Sequence, residues 1–564
     1  MQYQNSEVKK ILKNTWRILD KKEKKHFSML ILSDIIISII DIVSLALLLW
    51  IIQFYIEPRN NHYLFFLPRW LADRESAWLI ALFFILFGLK NMAGFYIDKA
   101  HYQFNSRVAI RISHTKLVNY QNAGYDEFVN IDSSKHIRMI CLQPFEFCQY
   151  ILSGIQQIIT QSCLISIAVV AVFLFNVKLF LLLLLILVPP VIIVFYLIKK
   201  RMAAARKSIQ INNQHSYRYV LDALKGYIES NIYNRNDFFL NRFIHSRKKF
   251  SVSLFDTLLI QSMPARIIEV FAILGLFVLI VIAKWSGNDD TASLLTIGAF
   301  MAAAYKIIPG IVKITNISGQ LRAYEFSASD LLQNNKPQKK VNEASPVINI
   351  QSLRLKDISF NYATQQVLTD FDLTIRKKDF IGVTGASGKG KTTILNILLG
   401  FLEAAKGEVL INDIVLKKDS IKVYWPSMAY VRQQTFFIHD TLLRNITLEE
   451  SGHDQKKLQY ATQISGLDTF IAQYPEGLDK MIMENGKNIS GGQQQRISIA
   501  RALYRNADLI LLDEPFNELD ETSEISLLEH FRELAQQGKL IILITHNKKS
   551  LSYCTKIISL DEQG

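Results

Sequence analysis

The run Gly385-Ala-Ser-Gly-Lys-Gly-Lys-Thr follows the apolar stretch Phe380–Thr384 and leads into an apolar helix-forming stretch. Those residue types, in that order, make a phosphate cradle of strand, loop and helix. Gly385, Gly388 and Gly390 let the backbone turn so that its N–H groups face an anion. The helix N-terminus that follows adds a favourable potential for negative charge. Lys391 is placed to reach the β- and γ-phosphates of a nucleotide, and Thr392 to ligate Mg²⁺. Ser387 and Thr393, in and just after the loop, join the expected nucleotide contacts.

A second apolar stretch, Leu509–Leu512, ends in Asp513-Glu514. A strand of this kind delivers its terminal carboxylates to the sheet edge beside the phosphate loop. Asp513 can hold Mg²⁺, directly or through water, and Glu514 can orient and polarise an attacking water. Phosphoryl transfer asks mainly for positioning and charge neutralisation, so one acid for metal and one for water suffice. Between the two motifs lies Asn488-Ile-Ser-Gly-Gly-Gln-Gln-Gln-Arg, followed by an Ile/Ala/Leu-rich stretch. Ser490, Gly491, Gly492 and Gln493 open a helix there and form a second anion-binding terminus.

The elements that must position these residues occupy only the last part of the 564-residue chain. From about residue 348 the sequence reads as a soluble α/β domain. Before about residue 316 it contains six largely apolar runs, near 27–56, 76–98, 151–175, 179–198, 258–284 and 291–316. Each has roughly the 20 apolar residues that a membrane-spanning helix needs. The expected fold is therefore a six-span helical membrane domain over 1–330, a polar linker with two prolines over 331–347, and a P-loop NTPase domain over 348–564.

The formal charge is +14, but Lys and Arg cluster before the first run and between the fourth and fifth. That is the positive-inside pattern and places the N-terminus and the C-terminal domain in the cytosol. With six spans, a soluble ATPase acting on nucleic acid is excluded, and no nucleic-acid partner is expected. The connections 99–150 and 199–257 are long and poor in Gly and Pro, so they read as helices running past the membrane. The outer connection 57–75 carries the apolar stretch YLFFLPRWL, either a short helix in the outer interface or a packed loop. Cys141, Cys148, Cys163 and Cys554 lack metal-like or disulfide-like spacing and read as reduced structural residues. No cleavable signal peptide is expected, because the first apolar run is too long for one.

With these motifs in this order, the chain resembles the ATP-binding-cassette transporters of exporter architecture, over nearly its whole length. The resemblance implies roles for further residues. Tyr362, 23 residues before Gly385, would stack on adenine. Gln433, in AYVRQQ, would sense Mg²⁺ and contact the membrane domain. Asp520, in NELD, would cross a dimer interface, and His546, in LITHN, would contact the γ-phosphate. It also implies that Ser490 and its glycines bind ATP held by the opposite subunit, so a dimer is expected. A homodimer suffices, since one chain carries every catalytic group; a heterodimer is the alternative. The segments 125–137 and 224–239 resemble the coupling helices that dock on the nucleotide domain. Arg432, Ile489 and Phe516-Asn517 depart from the common family pattern without removing a catalytic group.

Asp41, Lys90, Glu269 and Lys306 fall at similar depth within their apolar runs. Charges in a membrane interior normally face protein or a wet cavity. One expectation is neutralising ion pairs, such as Glu269 with Lys306. The other is that Lys90 or Lys306 meets an anionic cargo head. The stretch AAAYKIIPGIVKITN and the apolar outer loop look similar to bacterial flippases for lipid-linked oligosaccharides. Export of a peptide or small amphiphile, and import by an exporter-like machine, are the alternatives.

Overall fold

The computed structural model describes residues 2–56, 77–125, 129, 133–175, 177–286, 290–333, 348–362 and 365–561. The outer connection 57–75 and most of the linker 331–347 lie outside the described residues. The chain forms two compact units. One contains Met1–Ala123 and Ile131–Gln338; the other contains Gly124–Asn130 and Lys339–Gly564.

The first unit is helical. Its long members include Lys21–Ile56, Trp78–Gln121, Val177–Lys225, Asn236–Ser286 and Asp290–Ala323, with a further long helical stretch between the second and third of these. Trp78–Gln121 has 44 residues, Val177–Lys225 has 49 and Asn236–Ser286 has 51. At about 1.5 Å per residue these run roughly 65–75 Å, more than twice the hydrocarbon thickness of a bilayer. The long connections therefore continue the spans as helices.

Among the described residues, four helices are long and apolar enough to cross a membrane: Lys21–Ile52, Trp78–Gln121, Ser133–Leu174 and Asn236–Val278. The other two expected spans, 179–198 and 291–316, fall within Val177–Lys225 and Asp290–Ala323, where many side chains lie outside the described residues. Large apolar side chains point outward along the spans, among them Phe84, Leu185 and Phe277. Such continuous apolar exposure suits lipid and identifies a membrane-embedded unit. A buried apolar cluster lies inside this unit. There Phe104, Val108, Phe147, Ile151 and Leu331 are almost wholly buried.

The intramembrane charges pair differently from the sequence expectation. Glu269 does not meet Lys306. It is exposed and lies 3.9 Å from Arg266, one turn away on the same helix. Asp41 is the acceptor instead, and two lysines share it. Lys90 Nζ donates to Oδ1, and Lys306 Nζ to Oδ2 at 3.2 Å. All three side chains are largely buried. Sequence depth placed these charges at one level, but which helices adjoin is decided by packing.

Among the described residues the second unit has eleven strands. They are β1 (Ser352–Tyr362), β2 (Gln365–Arg376), β3 (Phe380–Thr384), β4 (Lys406–Ile411), β5 (Ile414–Leu416) and β6 (Met428–Val431). The rest are β7 (Asp440–Thr441), β8 (Met481–Ile482), β9 (Leu509–Asp513), β10 (Leu540–Ile544) and β11 (Lys556–Ser559). An antiparallel sheet has the order β2-β1-β4-β5, and a parallel sheet the order β11-β3-β10-β9-β6. Strands β9 and β10 are apolar at nearly every position because both faces of the parallel sheet are covered. Ile510 and Leu512 enter one core, Leu509 and Leu511 the other.

Register fixes what emerges at the sheet edge. Ile544 pairs with Asp513, Ile544 with Val383 and Leu512 with Val431. The carboxyl ends of β3, β9, β10 and β6 are thus level, which is where an open parallel sheet presents ligand groups.

Candidate functional site

The phosphate loop leaves β3 and enters the helix Lys391–Leu398 through Gly390, whose φ of +94° is left-handed. A Cβ there would lie 2.8 Å from Val367 Cγ1, so both backbone conformation and space require glycine. Gly385 and Gly388 also have positive φ. Lys391 is buried, and its Nζ donates to the carbonyls of Gly385 (2.7 Å) and Ala386 (3.0 Å). The ammonium is therefore tied to the loop that it serves. Ser387 is exposed on the loop, and Thr393 is buried in the first turn of the helix.

Thr392 Oγ1 donates to Asp513 Oδ2 at 3.3 Å, and the Tyr430 hydroxyl donates to the same oxygen at 3.4 Å. Burial holds the Asp513 carboxyl above the ordinary carboxylate range. The Thr392 hydrogen bond opposes this, and the neighbouring Glu514 charge adds to it. A hydroxyl and a carboxylate at this separation form a hard-oxygen donor set suited to Mg²⁺. Cation binding would also relieve the crowding of two adjacent acids.

Glu514 follows β9 with a left-handed φ of +48°, unusual for a residue with a side chain. Its N–H donates to Ile544 O at 3.0 Å, which pins the turn to the end of β10. Three groups then converge on its carboxylate. Gln433 Nε2 donates at 2.7 Å, Asn517 Nδ2 donates at 2.9 Å and His546 Nε2 lies at 3.3 Å. The side chain of Glu514 is 15% exposed and that of His546 is 51% exposed, so the cluster opens to solvent on the His546 side. Residues far apart in sequence, at the ends of β6, β9 and β10, thus meet around one acid.

Ser490 caps the helix Gly491–Arg505. Its hydroxyl accepts from Gln493 N at 3.3 Å, and Gln493 Oε1 accepts from Ser490 N at 2.9 Å. This reciprocal pair is a capping box. Gly491 and Gly492 pack against Glu518, and a Cβ on Gly492 would lie 2.9 Å from Glu518 O. Asp520 caps the next helix, accepting from Ser523 N at 3.0 Å and from the Thr522 and Ser523 hydroxyls. Those hydrogen bonds, Thr522's foremost, hold its carboxyl well below the usual carboxylate range. Tyr362 ends β1, half exposed, with its ring edge-on to Phe360 at 4.8 Å.

The structure brings together Lys391, Thr392 and Asp513 on one side, and Gln433, Glu514 and His546 on the other. Among the described residues no hydrogen bond joins Ser490–Gln493 to the phosphate loop. Two contributors were not expected from the sequence. Asn517 was legible only as a departure from pattern, and Tyr430 carried no expectation of its own. In the second unit Tyr125 stacks on Phe401 at 5.0 Å. The first unit holds a further polar cluster that sequence reasoning missed. Asp34 accepts from Gln156 (2.6 Å) and Thr160 (3.2 Å), and lies 3.1 Å from His101.

Residues 368–517 match the family model described as ABC transporter. The matched segment carries the phosphate loop, the strand-end acid pair and the capped second helix on the parallel sheet, and with the unit of long apolar helices the chain has the fold of a solved ABC exporter. Over nearly its whole length the chain superposes on the solved structure titled "Structure of a bacterial Atm1-family ABC exporter with ATP bound". The TM-score is 0.77 at 16% identity, covering 95% of this chain and 94% of that one. Among curated proteins, it is 28% identical over 351 residues to a "Probable ABC transporter ATP-binding/permease protein" of Haemophilus influenzae, covering 61% of this chain and 62% of that protein. It is 27% identical over 325 residues to an "ATP-dependent lipid A-core flippase" of Syntrophus aciditrophicus, covering 57% and 54%. It is 31% identical over 303 residues to the "Heterocyst differentiation ATP-binding protein HepA" of a Nostoc species, covering 53% and 49%. The matched segments span about half to three-fifths of these relatives' lengths.

Proposed function

We propose that the chain is a half-transporter: two copies form a dimer that hydrolyses ATP to move a lipidic amphiphile across the cytoplasmic membrane, outward or from leaflet to leaflet. In this reading 1–330 is the transmembrane domain, 331–347 the linker and 348–564 the nucleotide-binding domain, with the N-terminus and the nucleotide domain cytoplasmic. The observation that carries it is the convergence of Gln433, Asn517 and His546 on Glu514, beside Asp513 and Thr392.

In each site Gly385, Ser387, Gly388, Gly390, Lys391 and Thr393 hold the phosphates, and Tyr362 stacks on the base. Thr392, Gln433 and Asp513 would hold Mg²⁺, which when bound neutralises charge on the phosphates. Glu514 accepts a hydrogen bond from the attacking water and aligns it with the γ-phosphorus. Gln433 and Asn517 fix the carboxylate for that task, and His546 stands between Glu514 and the γ-phosphate. The second chain supplies Ser490, Gly491, Gly492 and Gln493 to close the site, with Asp520 at the seam. Closure and reopening of the two cassettes then shift the membrane unit between two packed states.

Two features support an amphiphilic cargo. Relatives include proteins named lipid A-core flippases. The membrane unit also holds a mostly apolar cavity of about 970 Å³, whose wall of Ile273, Leu276 and Ile308 carries Glu269 and Lys313. Reconstitution into lipid vesicles tests the reading. Fluorescent lipid movement and ATP turnover should both require Mg-ATP and both vanish in Glu514→Gln. Lipid movement that persists in that variant at the wild-type rate would refute it.

A further inference from the structure

Away from the nucleotide cluster, one charged side chain is buried with a bonding edge unused. Arg138 is 4% exposed and opens the π-helical turn Arg138–Leu142. Turns of this kind often mark functional sites. Its Nε and Nη2 atoms are buried and make no hydrogen bond. Those two nitrogens form the side-on fork of a guanidinium, the edge that grips two oxygens of a carboxylate or phosphate. Phe326 covers the flat face, with its ring centre 4.7 Å from the guanidinium carbon, and fixes the plane of the fork.

Arg138 lines a polar cavity of about 210 Å³, shared with Lys135, Gln143, Gln214 and Asp330. Gln143 is 2% exposed. Its Nε2 donates to Asp330 Oδ2 at 2.8 Å, while its Oε1 is buried and without a partner. Two of the residues around the cavity thus carry unused groups, two charged donors on Arg138 and one acceptor on Gln143. Lys135 and Arg138 outweigh the single carboxylate of Asp330. Glu146, the other acid near Arg138, accepts from Ser327 at 3.0 Å. Burial pushes its carboxyl up, and the nearby Arg138 charge opposes this.

We propose that this cavity is a binding site for a small tetrahedral oxyanion, with hydrogen phosphate as the ligand whose atoms match it. Two phosphate oxygens accept from Arg138 Nε and Nη2, and the P–OH donates to Gln143 Oε1. Bound there, the ion ties together three helices, since Arg138, Gln214 and Asp330 stand on different ones. Arg138 precedes the apolar run that begins near residue 151 by 13 residues. At about 1.5 Å per residue that is roughly 20 Å of helix, too far for a headgroup in the bilayer surface. The ligand is therefore the free ion.

The test uses the full chain in phospholipid-free detergent with excess Mg-ADP, so that the phosphate loop is already filled. Thermal unfolding is followed against phosphate, sulfate and chloride at matched ionic strength. Phosphate should raise the midpoint saturably. Sulfate, which has no proton to give Gln143 at neutral pH, should do so less, and chloride not at all. Arg138→Lys keeps the charge but loses the fork, and should weaken phosphate binding about tenfold. Asp330→Asn removes the opposing charge and should strengthen it. Arg138→Gln should abolish the response, and if that variant fails to fold the other two decide. An equal response to all three anions, or the same phosphate response in wild type, Arg138→Lys and Asp330→Asn, would mean that the cavity holds only water and would overturn the proposal. Competition by added phosphatidic acid would assign the site to a lipid headgroup and overturn the free ion.

Discussion

Asp41 carries two lysines, and that count makes an asymmetric prediction. Lys90, Lys306 and Asp41 have side-chain exposures of 10%, 23% and 21%. At the 3.2 Å separation of Lys306 and Asp41, an effective dielectric of about 20 gives an attraction of about 5 kcal/mol before desolvation. Breaking a buried pair by removing one partner typically costs about 3–5 kcal/mol, because the remaining charge is stranded. Asp41→Asn strands two ammonium groups, so its cost should be at or above the top of that range. Lys306→Met leaves a one-to-one Lys90–Asp41 pair and removes the surplus cation, so it should be close to neutral. At roughly 2–4 °C per kcal/mol for a domain of moderate size, Asp41→Asn should lower the unfolding midpoint in detergent by about 10 °C or more. The triple variant Asp41→Asn/Lys90→Met/Lys306→Met should recover most of the loss. If Asp41→Asn and Lys306→Met shift the midpoint equally, the two-to-one reading of the charge cluster is wrong.

Four further outcomes follow. Glu514→Gln should lower ATP turnover at least about a hundredfold, by removing the group that orients water. Nucleotide binding, read by fluorescent ATP analogues, should persist. Asn517→Ala removes one of the two amide donors to Glu514, and should lower turnover severalfold with little change in the ATP concentration for half-maximal rate. Gly390→Ala combines a left-handed φ with a 2.8 Å contact to Val367, so it should cost about 1–3 kcal/mol and abolish ATP binding. Burial depresses the Lys116 ammonium from its ordinary 10.5 to about 8. Between those values the unfolded chain binds the extra proton, so this group makes stability rise with pH across that window. The difference in unfolding midpoint between wild type and Lys116→Met should change there, and a difference constant with pH would refute the assignment.

Much of the nucleotide site was legible because its chemistry is local in sequence. A loop that cradles phosphate needs glycines at fixed steps and a lysine at its end. A strand that delivers acids needs an apolar run before Asp513-Glu514. Helix length was legible too, since apolar run length is set by bilayer thickness. The sequence by itself therefore determined the class of site, the apolar character of the membrane unit and the continuation of its spans as long helices.

Pairings across the fold were decided only by tertiary structure. Sheet register, not spacing, brings Gln433 and His546 to Glu514 and Tyr430 to Asp513, while Asn517 reaches Glu514 from three residues further along the same turn. Helix packing gave Lys306 to Asp41 instead of Glu269, because equal depth in a membrane says nothing about which helices adjoin. It also buried the fork of Arg138 against Phe326, a contact between residues 188 positions apart. Sequence patterns record what each element must bury or present. Which elements then meet depends on the summed packing of whole surfaces, and no short pattern contains that sum.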